Sequence, residues 1–189
     1  MTYSQDYHRY LKVPFNINRP NLFYTKPNKT LQAEKADHSH VDPKFKVWLQ
    51  EIGIKEIHIE SFYTAPNDKI KVHLDFPMLF DNHVKINLTW GSNDSVMRWW
   101  KVKNKKKINY GQSVNYFPLS KNILTTDESN CDMQYEQVIN KPSLVNVGCF
   151  HSTYNPSNEG RWTLCIVPLI NKKVIKWNDA IEIFKEVII

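Results

Sequence analysis

Hydrophobic residues recur along this chain with two different periods, and the first of them is helical. Over residues 42–53 the apolar positions are spaced i, i+3, i+4 and i+7, which places them on one face of a helix. Asp42 followed by Pro43 is typical of a helix start, and Gly53 is typical of a helix end. The segment is therefore predicted to be an amphipathic helix, with an apolar face formed by Phe45, Trp48, Leu49 and Ile52.

Beyond this helix the period changes to two, which is typical of β-strands with one buried face. Six such runs, separated by Pro, Asn, Asp and Gly, favour a β-sandwich or barrel. The chain ends in WNDAIEIFKEVII, which predicts a second helix with Asn178 as its cap. The predicted strands cover residues 54–64, 69–76, 84–90, 95–102, 144–152 and 161–169.

Two segments lack a clear period. Residues 1–41 are rich in Pro, Asn and Tyr and are predicted to form an irregular N-terminal arm packed on a domain of residues 42–189. Residues 103–143 are predicted to be a long polar excursion with one or two short strands. The length of 189 residues is that of about one domain, so arm and body are expected to share a single core.

The composition excludes several classes of protein. No apolar run approaches the roughly 20 residues of a membrane-spanning helix. The N-terminus lacks the apolar region of a secretory signal, so we expect a cytoplasmic protein. The 25 basic and 19 acidic residues give a net charge of +6, but 21 of the basic residues are lysines, as AT-rich coding favours. The charge is therefore weak support for nucleic acid as a partner.

The three cysteines, Cys131, Cys149 and Cys165, are odd in number and lack the CxxC spacing of a zinc site. They predict small core residues rather than disulfides or metal ligands.

The strand predicted at 69–76 carries the first candidate chemistry. His73 and Asp75 lie two residues apart, so their side chains point to the same face of the strand and can present an imidazole and a carboxylate to one metal ion. A satisfied histidine–aspartate pair at a barrel mouth is the alternative. His83 is the one other histidine near enough along the chain to replace a ligand.

A second segment carries His151 and, ten residues later, Arg161. Two histidines and one carboxylate form the facial triad that leaves positions on iron(II) open for an oxo-acid and dioxygen. A buried arginine could bind the far carboxylate of such an acid with its planar fork. The residues alone leave open that Arg161 forms a surface ion pair.

Four stretches together resemble the iron(II)/2-oxoglutarate-dependent oxygenases, specifically the aspartyl/asparaginyl β-hydroxylase-like and phage-associated members. The resemblance implies a mainly β fold, a double-stranded β-helix (jelly roll, cupin-like) with a few flanking helices. The stretches are VHLDFP (72–77), KINLTWGSNDSVMRWWKV (85–102), KPSLVNVGCFHSTYNPS (141–157) and GRWTLCIVPL (160–169).

The resemblance also implies a site. It makes His73, Asp75 and His151 the iron ligands and catalytic centre, and Arg161 the anchor of 2-oxoglutarate. The implied activity is hydroxylation of an amino acid or a protein side chain with consumption of dioxygen and release of succinate and CO2.

Two further residues are carried over from the resemblance as contacts of the co-substrate. Thr163 holds the Arg-x-Ser/Thr position of the last strand, and Asn87 holds an inward asparagine position. The alternatives are that Thr163 is an ordinary strand residue and that Asn87 bonds a neighbouring strand.

The partner is expected to be a small molecule, a peptide or a protein, contacted by residues 1–41, 63–68 and 103–143. Trp99 and Trp100, with the lysines that follow them, are interpreted as a strand end and a solvated loop, so nucleic acid is not expected. The DNA-repair branch of the resembled family has a second arginine six residues after the first, where this chain has Val167.

Two other functions remain open from the sequence. One is an inactive jelly-roll module for binding or structure, for example a viral accessory protein. The other is a cupin-like enzyme that uses the same three ligands without 2-oxoglutarate.

Overall fold

A computed structural model of the protein describes residues 6–34, 36–75, 83–112 and 122–189. Within these ranges the chain is mainly β, with thirteen strands and two α-helices, and neither helix is long and apolar enough to cross a membrane. Parts of three predicted segments lie outside the described residues: 1–5 and 35 of the arm, Phe76 of the second strand and 113–121 of the polar excursion.

In chain order the strands are β1 (His8–Tyr10), β2 (Leu31–Glu34), β3 (Glu56–Thr64), β4 (Asp68–Asp75), β5 (Val84–Gly91), β6 (Val96–Val102), β7 (Asn109–Gln112), β8 (Asn122–Thr125), β9 (Cys131–Val138), β10 (Ser143–Asn146), β11 (His151–Asn155), β12 (Arg161–Ile170) and β13 (Lys173–Val174). The helices are α1 (Pro43–Glu51) and α2 (Trp177–Phe184).

The strands form two antiparallel sheets. The larger has the order β1-β10-β5-β12-β3-β2, with β13 paired to β12, and the smaller has the order β7-β8-β4-β11-β6-β9. Strands β3 to β6 alternate between the sheets along the chain, and so do β9 to β12, so that the polypeptide winds around the space between them. This winding is a double-stranded β-helix, or jelly roll, and it confirms the predicted fold class.

The larger sheet is buried on both faces, and its two faces differ in chemistry. Even-numbered residues of β5 and β12, such as Ile86 and Leu164, belong to the main hydrophobic core with residues of α1 and α2. Odd-numbered residues face the smaller sheet and are mostly polar, because successive side chains of a strand point to opposite faces. The polar inward residues include Lys85, Asn87, Arg161 and Thr163.

Helix α1 begins and ends as predicted. The Asp42 carboxylate accepts hydrogen bonds from the backbone N–H of Lys44 at 2.8 Å and of Asn18 at 2.9 Å, so it caps the helix and holds the arm. Gly53 has a φ of 95°, a conformation that glycine adopts without the cost other residues incur.

The predicted start of the last helix is wrong by two residues. Its cap is Lys176 rather than Asn178, and the Lys176 side chain makes no capping hydrogen bond. Buried Trp177 sits in the first turn, on the same face as Ala180 and Phe184, so packing rather than a capping side chain sets where the helix begins.

The strand predicted at 144–152 is two strands in different sheets. Residues 143–146 form β10 in the larger sheet, and His151 begins β11 in the smaller one. The chain crosses at 147–150, where the backbone N–H groups of Val147 and Gly148 both donate to the carbonyl of His83. The pattern of polar and apolar residues does not show where the chain changes sheets, because buried positions occur in both strands and in the connection between them.

The N-terminal arm is less irregular than its composition predicts. It adds strand β1 to one edge of the larger sheet and β2 to the other. Phe23, fully buried, stacks on Trp162 of β12 with ring centroids 4.7 Å apart and planes at 3°. The arm therefore contributes to the main core.

The polar excursion at 103–143 also contains more strand than predicted. It holds β7, β8 and the eight-residue β9, which pairs with β6 along its length. Strand β9 reads CDMQYEQV and buries little, so its pattern does not show the alternation on which the prediction depends.

We predict that Phe23→Ala lowers the free energy of unfolding by about 3–5 kcal/mol, because it removes an aromatic side chain from the core. Tyr24→Ala is the matched control, since Tyr24 is the next residue in the same turn and is 63% exposed; its effect should stay within about 1 kcal/mol. Urea unfolding followed by tryptophan fluorescence measures both. Equal effects of the two substitutions would contradict a core role for the arm.

Candidate metal centre

A polar cavity lies between the two sheets of the jelly roll. Strands β3, β5 and β12 supply one wall, and β4, β6 and β11 supply the other. The cavity holds about 40 Å³, room for roughly three waters. Its polar lining includes His73, Asp75, Lys85, Asn87, His151 and Arg161.

Three side chains of the smaller sheet converge in this cavity. His73 of β4 lies opposite His151 of β11 in the strand register, and their ring centroids are 4.3 Å apart. Asp75 Oδ1 lies 3.6 Å from His73 Nε2, and Asp75 Oδ2 lies 4.0 Å from His151 Nε2. The structure therefore brings the three sequence-predicted ligands together. One ligand atom from each lies within 4.8 Å of the others, and the described residues contain no second cluster of this kind.

Both histidine rings are held by backbone carbonyls. His73 Nδ1 is 2.7 Å from the carbonyl oxygen of Lys71, and His151 Nδ1 is 2.8 Å from that of Cys149. In each case Nδ1 must carry the proton and donate it, which leaves the lone pair of Nε2 free. Metal-bound histidines usually have their second nitrogen fixed in this way. The rings are thus oriented for a metal before any metal binds.

The electrostatic environment suits the ligand roles of His151 and Asp75. Burial, reinforced by the nearby His73, lowers the pKa of His151 to about 3, so its ring is neutral at pH 7. Burial alone would raise the pKa of Asp75, but Lys85 and the two histidines outweigh it and hold the pKa well below its usual range. A neutral imidazole and an ionised carboxylate are the forms that bind metal.

The sequence analysis missed two charged residues near Asp75: Lys85, which contacts Asp75, and Glu60, which contacts Lys85. Lys85 Nζ lies 2.7 Å from Asp75 Oδ2 and 2.7 Å from Glu60 Oε2, and the three side chains are 3–8% exposed. Burial would lower the pKa of Lys85, but the two carboxylates raise it above its usual range. The signal was present in the sequence, because Lys85 shares the strand phase of Asn87, whose side chain was expected to point inward.

Arg161 reaches the same cavity from β12 and is 2% exposed, so the alternative of a surface ion pair is wrong. One guanidinium nitrogen, Nη2, donates to the carbonyl of Ile139 at 3.0 Å, whereas Nε has no hydrogen-bond partner among the described residues. No acidic side chain of the described ranges pairs with it. Burial lowers the pKa of Arg161 to about 10, which leaves the group charged at pH 7. A buried cation without a counter-ion is costly, and an anionic ligand would remove that cost.

Other polar side chains also line the cavity, and two of them have an oxygen without a hydrogen-bond partner among the described residues. Thr163 lines the wall formed by β12, and Asn87 lines the wall formed by β5. Within the described part of the chain Asn87 Oδ1 has no hydrogen-bond partner, so this oxygen does not bond a described neighbouring strand. Thr153 Oγ1 has none there either. Sequence analysis missed Thr153, although it follows His151 by two residues.

The remaining candidates lie elsewhere. His83 is buried at a bridge to Lys176 and takes no part in the three-residue cluster. Trp99 is fully buried in β6, and Trp100 donates its indole N–H to the Ser152 hydroxyl, so both tryptophans belong to the sheet. All three cysteines are free, and Cys165 forms part of the cavity wall.

No protein-family model matches this chain, and no curated protein matches it. Solved structures with similar architecture include an oxalate oxidase in complex with the substrate analogue glycolate, at 11% identity and a TM-score of 0.38, which covers 80% of this chain and 57% of the other. Another is peruvianin-I, a cysteine peptidase from Thevetia peruviana latex, at 9% identity and a TM-score of 0.34, which covers 89% and 94%. A third is E. coli ycfD, at 10% identity and a TM-score of 0.40, which covers 93% and 44%. The chain thus spans little over half the length of the matched oxalate oxidase, and likenesses this distant carry no information about its activity.

We predict a pH dependence that traces to His151. Its pKa is about 3 in the folded protein against an ordinary 6.5. As the pH falls from 6.5 toward 3, His151 is therefore protonated in the unfolded chain but stays neutral in the folded protein. The free energy of unfolding decreases over this range as the pH falls. Between pH 7 and pH 5 the loss should amount to about 2 kcal/mol.

The measurement is urea unfolding of chelator-treated protein at both pH values. His151→Gln should reduce the difference between them, whereas His38→Gln, at an exposed position, should leave it unchanged. A difference that is the same in wild type and His151→Gln would contradict a buried, neutral His151.

Proposed function

We propose that this protein is an iron(II)- and 2-oxoglutarate-dependent dioxygenase that hydroxylates an amino acid or a protein side chain. One observation carries the proposal: the three candidate ligands line the same cavity as the Arg161 guanidinium, which has no acidic partner among the described residues. A metal centre and a carboxylate anchor in one cavity are what the reaction of an oxo-acid on iron requires.

The donor set fits iron(II). Two imidazole nitrogens and one carboxylate oxygen form a facial triad, which leaves sites on the metal for other ligands. The observed separations of 3.6 Å and 4.0 Å are somewhat wider than the roughly 3 Å between neighbouring ligands bonded at about 2.1 Å, so small movements would close the site. The fixed Nδ1 protons favour this role over a satisfied histidine–aspartate pair.

The buried charges favour a dianionic co-substrate. Asp75 and Glu60 contribute two negative charges to the cavity region, and Lys85 and Arg161 contribute two positive charges, so they cancel. A divalent metal would leave an excess of +2 in a buried space. An oxo-acid with two carboxylates, such as 2-oxoglutarate, restores neutrality, whereas an acid with one carboxylate does not.

Each residue then has a defined task. Arg161 would bind the carboxylate that is remote from the metal, with Asn87 and Thr163 as hydrogen-bonding neighbours. Apolar side chains of the wall, such as Met97 and Val147, exclude water from the reacting groups. Bound iron would supply the oxidative chemistry, in which dioxygen and 2-oxoglutarate are converted to succinate and CO2 and a substrate C–H bond is hydroxylated.

The test is succinate release from 2-oxoglutarate by wild type and by Arg161→Gln, with iron(II), dioxygen and a panel of amino acids and peptides. Wild type should release succinate. Arg161→Gln should raise the KM for 2-oxoglutarate about a hundredfold or more, because a buried charge-assisted contact is lost. Arg98→Gln is the matched control, because Arg98 pairs with Glu136 outside the cavity, and it should behave as wild type.

The outcomes separate the alternatives. No succinate from the wild type with any member of the panel, and none without added substrate, would contradict the proposal and favour a binding module. Turnover that does not require 2-oxoglutarate, or that Arg161→Gln leaves unchanged, would favour a cupin-like enzyme without that co-substrate.

A further inference from the structure

Asp75 has a cationic partner inside the protein already. Lys85 of β5 crosses the space between the sheets to reach Asp75 Oδ2 of β4, and its ammonium lies 5.5 Å from the ring centroid of Phe62. On its other side it holds Glu60 of β3 at 2.7 Å. The network therefore links three strands and both sheets through one buried ammonium group.

A metal bound to Asp75 would share this carboxylate with Lys85. Oδ2 is held by the ammonium, while Oδ1 points toward His73 Nε2. With metal–oxygen bonds of about 2.1 Å, the metal and Nζ would lie within about 4–6 Å of each other. Two cations at that distance in a buried site repel each other strongly, because little water is present to screen them.

Glu60 has the opposite effect on the metal. It does not belong to the ligand cluster, but it offsets one positive charge beside the site. Burial raises the pKa of Glu60 above its ordinary value although the Lys85 ammonium opposes this, whereas the 2.7 Å contact with that ammonium favours the ionised carboxylate. An ionised Glu60 therefore reduces the repulsion between Lys85 and a metal.

We propose that Lys85 is a resident counter-cation of the metal centre: it holds Asp75 in place in the metal-free protein and weakens the binding of a divalent metal, and Glu60 moderates that weakening. The inference rests on the proposed metal site. It assigns Lys85 and Glu60 as positioning residues that set how readily the site takes up and releases its metal.

The inference predicts effects of opposite sign from two substitutions in one ion-pair network. Lys85→Met removes the repulsive cation with little change in size, so the dissociation constant for the metal should fall about tenfold or more. Glu60→Gln leaves Lys85 less compensated, so the dissociation constant should rise several-fold. A network with a merely structural role would weaken metal binding in both variants.

The experiment is an anaerobic titration of the chelator-treated full chain with cobalt(II), by calorimetry and by the visible absorption of the bound ion. Lys69→Met and Glu128→Gln are matched controls, because this exposed pair on and near β4 lies outside the cavity, and both should bind cobalt(II) as wild type does. Thermal unfolding without metal should show both cavity variants to be less stable than wild type, because Lys85→Met leaves two buried carboxylates without their cation and Glu60→Gln removes one of the two carboxylates that pair with Lys85.

Where Lys85→Met fails to fold without metal, the double variant Glu60→Gln/Lys85→Met provides the comparison, since it removes both charges. It should bind cobalt(II) more tightly than Glu60→Gln alone. Equal affinities of those two variants, or a shift of Glu60→Gln toward tighter binding, would overturn the inference. So would unchanged or weaker binding by folded Lys85→Met.

Failure of the metal site itself has a different signature. Wild type that binds no cobalt(II), or binds it equally well after His151→Ala, would contradict the metal site and, with it, this inference. His151-dependent binding that the cavity variants do not shift as described would leave the metal site standing and remove only the role of Lys85 and Glu60.

Discussion

The carboxylate of Asp75 is the group on which the interior of this protein depends. A charged carboxylate buried between two sheets is tolerated only with partners that compensate its charge. Lys85 belongs to the opposite sheet, and its Nζ lies 2.7 Å from Asp75 Oδ2. The two histidines belong to the same sheet as Asp75. The ion pair that keeps Asp75 ionised therefore also joins the two sheets beside the candidate metal ligands.

The larger sheet can carry charged residues into the interior because its two faces differ: one is mainly apolar and the other lines the polar cavity. One face builds the hydrophobic core with α1, α2 and the N-terminal arm. The other face lines the cavity and carries Lys85, Asn87, Arg161 and Thr163. Val145 of the same sheet packs with Met97 and Trp99 of β6. The main hydrophobic core and the polar candidate site thus lie on opposite faces of the larger sheet.

What the sequence could predict follows from local periodicity. Alternation in β4 and β12 places His73, Asp75 and Arg161 on inward faces, and the winding of the jelly roll then brings them to His151. The crossing at 147–150 could not be predicted, because the hydrogen bonds that hold it, to the carbonyl of His83 and from the N–H of Trp100, join residues distant in the sequence. Strand β9 was missed because it is paired along its length yet poorly buried.

Lys85 and Glu60 escaped prediction for a different reason. Each is a charged residue in a strand, and such residues usually face solvent. Their inward direction was readable from strand phase, but their mutual contact depends on the pairing of β3 and β5 with β12, which no local pattern specifies. The ion-pair network is thus a property of the sheet order.

The most direct test of the central claim is an absorption spectrum taken without oxygen. Iron(II) added to the wild-type protein, followed by 2-oxoglutarate, is expected to produce a visible metal-to-ligand charge-transfer band, because the oxo-acid would bind the metal through its keto and carboxylate oxygens. His151→Ala should lack the band. A wild-type spectrum without the band, or a band that persists in His151→Ala, would contradict the assignment of this cavity as an iron and 2-oxoglutarate site.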